Sequence, residues 1–200
     1  AGIQGDYAQA AELLEKVLVY RRQNDEPVLL TATLNNLAIA TRRLGNLERA
    51  KQLFLEAAQI NRKEENLKSL SHALLGLADV HLQQGNVQKA LELYKETIMI
   101  RSRLGDLKGL AHSLNALAMM MEKMKDETLA ATLEGAAAHL REEIGMPIQT
   151  ANRSENEEFL KRLREKLGTE KLEQAWFDGQ TMPRQQLIDL VAGVSVGEGG

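Results

Sequence analysis

Apolar and small residues recur along this chain with two periods, one typical of a helix and one of 40 residues. Within segments of about 18 residues the apolar positions follow helical spacing, as Leu30, Leu34 and Leu37 do. A shift of 40 residues aligns many positions: Leu34, Leu74 and Leu114; Leu37, Leu77 and Leu117; Ala38, Ala78 and Ala118; Ala50, Ala90 and Ala130. A period of this length in helical segments predicts a repeat array.

Each repeat is expected to form two helices joined by a short turn. Asn66 and Asp106 are predicted helix N-caps, and Gly45 and Gly85 suit the left-handed turn that ends a helix, whereas Lys125 takes that position in the next repeat. The first helices are predicted at 27–44, 67–84 and 107–124, and the second helices at 46–63, 86–104 and 126–144, with a partial copy at 6–24. The organisation is therefore a half repeat at 1–25 and repeats at 26–65, 66–105 and 106–145.

The repeat pattern ends at Gly145, and 146–192 predicts three shorter helices. Ser154 and Glu157 have the spacing of a capping box at the start of the first of them. Thr169 and Pro183 are expected to begin the other two.

We expect the repeat array to be capped at its C-terminal end and to be incomplete at its N-terminal end. We expect 146–192 to form a cap over the last hairpin, with Trp176 as its anchor, and 193–200 to be a disordered tail. Residues 1–5 hold only the end of a first helix, and the chain opens on Ala1 rather than Met. This indicates the C-terminal part of a longer protein.

The aligned positions resemble the tetratricopeptide repeat, in a long-helix form. They are Leu34, Leu37, Ala38, Gly45, Ala50, Phe54 and Ala57, and in the next repeat Leu74, Leu77, Ala78, Gly85, Ala90 and Tyr94. The resemblance implies an all-α fold, a right-handed α-solenoid of antiparallel helix hairpins, whose first helices line a concave groove. It would place the following residues in that groove: Asn35, Asn36, Ile39, Arg42, Arg43, His72, Leu75, Asp79, His112, Asn115, Met119 and Glu122.

The residues of this groove fit an elongated ligand. An Asn amide offers a donor and an acceptor to an extended main chain, and Arg42 and Arg43 could each hold a carboxylate. We therefore expect a peptide, a protein segment or a small effector as the partner.

A second resemblance covers the end of the chain. Arg141-Glu-Glu-Ile-Gly, Ala175-Trp-x-x-Gly179 and Leu187-Ile-x-Leu-Val resemble the tail of bacterial STAND-class signalling ATPases and multidomain transcriptional regulators. This resemblance implies that the chain is the sensor module of such a protein. It would bind an effector in the groove and also contact the upstream domains of the parent protein.

Composition argues against catalysis in this chain. The sequence has no cysteine and a net charge of −3, so thiolate chemistry is excluded and phosphate or membrane binding is not favoured. The string Gly193-Val-Ser-Val-Gly197 lacks the strand that a serine nucleophile elbow needs. His72 and His112 recur in the same repeat position but are expected too far apart for one metal ion. We expect no catalytic, metal or cofactor site, and a cytoplasmic protein.

Two functions remain open from the sequence. The first is a non-catalytic sensor or scaffold that binds a partner in its groove. The second is an architectural module that packs within its parent protein or associates with itself.

Overall fold

All regular secondary structure in the described part of the chain is α-helix. The computed structural model describes the backbone of residues 2–24, 27–146 and 150–196, and the side chains from Asp6 and, after the second gap, from Ser154. Ten helices and no strand occur in these ranges: α1 (Gly2–Gln23), α2 (Pro27–Arg43), α3 (Leu47–Lys63), α4 (Leu67–Gln83), α5 (Val87–Leu104), α6 (Leu107–Lys123), α7 (Glu127–Glu143), α8 (Thr150–Leu167), α9 (Thr169–Thr181) and α10 (Arg184–Gly193). The chain forms two compact units, Ala1–Ile100 and Arg101–Gly200, and the boundary between them falls within α5.

In the first unit, successive helices form antiparallel hairpins. α1 packs on α2, α2 on α3 and α3 on α4. Leu34, Ala38, Leu74 and Ala78 are fully buried, as their repeated positions predict. The phenyl ring of Phe54 lies where a Cβ on Gly76 would stand. Both predicted helices of each complete repeat are therefore confirmed. Most of the observed helix ends differ from the predicted ones by one residue.

The second unit combines one such hairpin with the C-terminal helices. α6 packs on α7, and α7 also packs closely on α9. Two glycines allow the close approach: a Cβ on Gly135 would overlap the carbonyl oxygen of Trp176, and one on Gly179 would overlap that of Thr132. Leu187 and Val191 of α10 are buried as well.

Side-chain caps and left-handed turns set the helix ends. The side chains of Asn46, Asn66, Asp106 and Asp126 each accept a hydrogen bond from the backbone N–H three residues on, which satisfies a free helix donor. Gly45 and Gly85 have positive φ angles of 85° and 79°, and Lys125 adopts 64° in the equivalent turn. A side chain in this region strains the backbone, which a glycine avoids. The predicted caps at Asn66 and Asp106 and the predicted turns at Gly45 and Gly85 are confirmed.

Two expectations about where helices begin were wrong. α1 begins at Gly2 and continues through Gly5 and Asp6, so no turn separates a preceding helix. α8 begins at Thr150, one turn before Ser154, because the residues between them include no glycine or proline to stop the helix.

Trp176 is not the anchor of the C-terminal helices. It is only partly buried, whereas Leu172, Ala175 and Gly179 are the buried residues of α9. At the contact between α7 and α9, it is the carbonyl oxygen of Trp176 that lies against Gly135.

The ends of the predicted cap are only partly described. Helices begin at Thr169 and just after Pro183, as expected. Val194 is buried, whereas residues 197–200 of the predicted tail, like Glu26 and Pro147, lie outside the described residues. Among the helices described, none is long and apolar enough to cross a membrane.

Candidate interaction surface

In the first unit, α2 and α4 pack side by side and present a row of exposed side chains, which we call the α2–α4 face. On α2 the exposed members are Asn36, Ile39 and Arg43, and Ile39 is 42% exposed although it is apolar. On α4, His72 and Gln83 are exposed and Asp79 is partly exposed. These side chains lie one or two helical turns apart along each helix, so the face is an elongated strip.

An ion pair lies at the centre of the α2–α4 face. The Nη2 atom of Arg42 is 3.1 Å from Oδ2 of Asp79. The buried Tyr94 of α5 donates its hydroxyl to Oδ1 of the same carboxylate at 2.7 Å. Burial, followed by the charge of Asp79, raises the pKa of Tyr94, so Tyr94 remains a neutral donor. The carboxylate is thus held from both sides in a fixed orientation.

Two predicted groove residues of this unit lie beneath the surface rather than on it. Asn35 is 8% exposed and Leu75 is 7% exposed. The buried Oδ1 of Asn35 and Nε of Arg42 have no hydrogen-bond partner among the described residues. A buried polar group without a partner costs about 1–3 kcal/mol.

In the second unit, α8 contacts the corresponding residues of α6. The Nδ2 atom of Asn115 donates to Oε2 of Glu134 at 2.6 Å and to Oδ1 of Asn156 at 2.9 Å. Glu134 is fully buried and accepts a second bond from Arg141 at 2.6 Å. Burial raises the pKa of Glu134 despite the opposing effect of Arg141. Asn115 therefore belongs to a partly buried network that joins α6, α7 and α8.

Glu122 of α6 is also bound by side chains of α8. Its carboxylate accepts from Nε and Nη2 of Arg162 at 2.9 and 3.0 Å, and from Nζ of Lys166 at 3.2 Å. The hydrogen bond from Arg162 lowers the pKa of Glu122. The expectation that Glu122 and Asn115 line an open groove is thus corrected, because side chains of α8 already bind both. His112 stays exposed and Met119 partly exposed.

Sequence reasoning missed the residues that supply these contacts. Tyr94 takes the repeat position of Phe54. The hydroxyl that distinguishes tyrosine from phenylalanine is the only sign in the sequence of a polar partner at this position. Asn156 and Arg162 lie about 40 residues from their partners, where no local pattern connects them. In the part of the chain that the structure describes, no group of three or more histidine and acidic side chains is placed to hold a metal ion.

Comparisons with known proteins agree with this architecture. A family model described as tetratricopeptide repeat matches residues 29–103 and 69–143, which together make up more than half of the chain. Among solved structures, the crystal structure of BtubC (BKLC) from P. vanneervenii is similar, with a TM-score of 0.66 and 19% sequence identity. The match covers 97% of this chain and 78% of that chain. No curated protein matches the chain significantly.

Proposed function

The chain belongs to the tetratricopeptide repeat family, and from this premise we propose that it is a non-catalytic interaction module whose α2–α4 face binds an extended peptide or protein segment. The observation that carries the proposal is the exposed row of Asn36, Ile39 and Arg43 beside the fixed Arg42–Asp79 pair. An apolar contact next to oriented polar groups is what a short peptide can use for both affinity and register.

The geometry of the face favours a peptide over a small effector. Small-molecule sites are concave and enclose most of their ligand, whereas the α2–α4 face is a strip of exposed side chains. The hydroxyl of Tyr94 already holds Asp79 in place, so little side-chain freedom is lost when a ligand binds. Such preorganisation lowers the free-energy cost of association.

A matched pair of variants tests this proposal. Ile39 on the face and Leu55 on α3 are 42% and 41% exposed, so Ile39→Glu and Leu55→Glu place the same charge at equally exposed positions. The full chain is used to select peptides from a displayed library, and affinities for the selected peptides are measured for each variant. We expect Ile39→Glu to weaken binding at least tenfold and Leu55→Glu to leave it within twofold. Equal effects of the two changes, or no selected peptide, would contradict the proposal.

In the second unit, the corresponding surface of α6 is already in contact with α8 of the same chain. There α8 occupies the neighbourhood of Asn115 and Glu122 with its own polar side chains. We therefore assign ligand binding to the α2–α4 face and internal packing to α6.

The wider setting of the module rests on sequence resemblance alone. The likeness of the C-terminal segment to STAND-class proteins supports a role as a sensor in a larger bacterial signalling ATPase or transcriptional regulator, in the cytoplasm. In such a protein a bound segment shifts the balance between inactive and active states only through unequal affinity for the two. Binding of a selected peptide to the parent protein, measured with and without nucleotide, tests this part of the proposal.

A further inference from the structure

A small cavity in the second unit lies between the last two turns of α7 and the first turn of α10. Its volume is about 220 Å³. Its lining includes Ala136, His139, Leu140 and Glu143 of α7 and Arg184 and Leu187 of α10. We call it the α7–α10 cavity.

The inner wall of the α7–α10 cavity is apolar and already formed. Ala136, Leu140 and Leu187 are only 3%, 5% and 3% exposed. Gly179 of α9 also lines the cavity, and a Cβ on Gly179 would lie 2.9 Å from the backbone nitrogen of Ala136. Because α7, α9 and α10 hold this wall through their own packing, no rearrangement is needed before a ligand enters.

Two opposite charges lie at the rim of the cavity. The Nη2 atom of Arg184 is 3.6 Å from Oε2 of Glu143, and the two side chains are 48% and 45% exposed. This distance is too long for a hydrogen bond. An exposed ion pair of this kind contributes little to stability, so a ligand can separate the two side chains at a small cost.

The helix ends at the cavity have the same polarity as these side chains. α7 ends at Glu143, whereas α10 begins at Arg184 without a side-chain hydrogen bond at its N-terminus. The C-terminus of a helix carries a partial negative charge and the N-terminus a partial positive charge. The cavity therefore has a negative side at the end of α7 and a positive side at the start of α10.

This arrangement restricts the class of ligand. An anion without a positive group would face Glu143 unpaired, and a cation without a negative group would face Arg184 unpaired. A molecule that carries both charges on neighbouring atoms pairs with both side chains. The volume is below the roughly 300–1,000 Å³ of sites for drug-sized ligands, so the molecule has to be small.

From this juxtaposition we propose that the α7–α10 cavity binds a free α-amino acid with an apolar side chain. The carboxylate of the amino acid pairs with Arg184, its ammonium group pairs with Glu143, and its side chain lies against Leu140 and Leu187. This site lies in the second unit and does not depend on the function proposed for the α2–α4 face.

L-leucine and three analogues test the proposal on the full chain. Leucinamide lacks the carboxylate, N-acetylleucine lacks the ammonium group and free glycine lacks the side chain. Binding is followed by the NMR shifts of the methyl groups of Leu140 and Leu187. We expect saturable binding of L-leucine at about millimolar concentration or below. Each analogue should bind at least tenfold more weakly, because it leaves a charged group or the apolar wall without its partner.

Variants of the rim test the role of each charge. The controls come from the exposed Lys161–Glu165 pair of α8, whose charged atoms are 3.9 Å apart. We expect Arg184→Gln and Glu143→Gln to weaken binding of L-leucine at least tenfold, and Lys161→Gln and Glu165→Gln to change it less than twofold. Glu143→Gln should also bind L-leucine and N-acetylleucine equally, whereas the wild-type chain distinguishes them.

Several results would overturn the proposal. One is the absence of saturable L-leucine binding, and another is binding that leaves the methyl groups of Leu140 and Leu187 unshifted. Equal binding of N-acetylleucine and L-leucine to the wild-type chain would show a site for carboxylates, such as the carboxyl terminus of a peptide, instead of a free amino acid. Equal losses in the rim variants and in the α8 controls would also contradict it.

Discussion

Replacement of Gly179 by alanine tests the close packing of α7 and α9. A Cβ at this position would overlap the carbonyl oxygen of Thr132 and would lie 2.8 Å from its carbonyl carbon and 2.9 Å from the backbone nitrogen of Ala136. These neighbours are backbone atoms of a helix, so they cannot move aside as a flexible side chain would. Gly179→Ala therefore has to push the two helices apart.

The cost follows from the size of that separation. Non-bonded atoms reach their best contact at about 3.5 Å or more, so the helices must separate by roughly 1 Å and lose up to about half of the dispersion energy across the contact. Overpacking by itself costs about 1–3 kcal/mol. Loosened packing of Leu172 and Ala175 adds to this cost, and we expect Gly179→Ala to lower the free energy of unfolding by about 3 kcal/mol.

The single tryptophan provides the assay. Trp176 lies in α9, so its fluorescence during urea unfolding reports on the affected unit. The control is Gly193→Ala, because no atom lies within 4 Å of a Cβ at that position and alanine favours helix by about 0.5–1 kcal/mol over glycine. A midpoint for Gly179→Ala that equals the Gly193→Ala midpoint would refute the close packing.

The remaining predictions concern a turn, an ion pair and a cap. Lys125→Gly should raise stability by about 0.5–1 kcal/mol in thermal unfolding, because it relieves a positive φ of 64° that strains a side-chain-bearing residue; no gain would contradict this. Arg162→Ala should cost about 1 kcal/mol, since Arg162 is 45% exposed and its hydrogen bonds to Glu122 are partly screened. The lowered pKa of Glu122 means that its stabilisation is complete above about pH 4.3 and is lost as the pH falls through the folded-state pKa; an unchanged acid-unfolding profile in Glu122→Gln would count against it. Asn66→Ala should cost about 1 kcal/mol through loss of its bond to the Ser69 N–H, which urea unfolding measures, whereas Asn36→Ala should be nearly neutral.

Local patterns predicted the repeats well because each helix carries its own information. Apolar spacing, a cap such as Asn66 and a turn glycine such as Gly45 act within a few residues. These signals can therefore be interpreted without knowledge of the tertiary structure. The helix end expected within residues 1–5 is an exception. The 40-residue alignment transferred a turn to a place where α1 continues as helix.

The surface of the second unit could not be predicted in this way. A shift of 40 residues aligns Ser154, Glu157 and Glu158 with the buried Leu114, Leu117 and Ala118, yet all three are exposed. α8 instead buries Phe159 and Leu163, and it brings Arg162 onto Glu122 from a different face. The face that α8 buries differs from the face that the repeat alignment would bury. Long-range packing determines this difference, and the spacing of residues within α8 does not indicate it.

The central claim is that the α2–α4 face binds an extended segment, and photocrosslinking tests it most directly. The chain has no cysteine, so a single benzophenone label can be placed at Asn36→Cys on the face or at Leu55→Cys on α3. Both variants are illuminated with the same library-selected peptide. The account predicts a crosslinked product from position 36 and none from position 55. Crosslinking from position 55 alone, or equal yields from both positions, would contradict it.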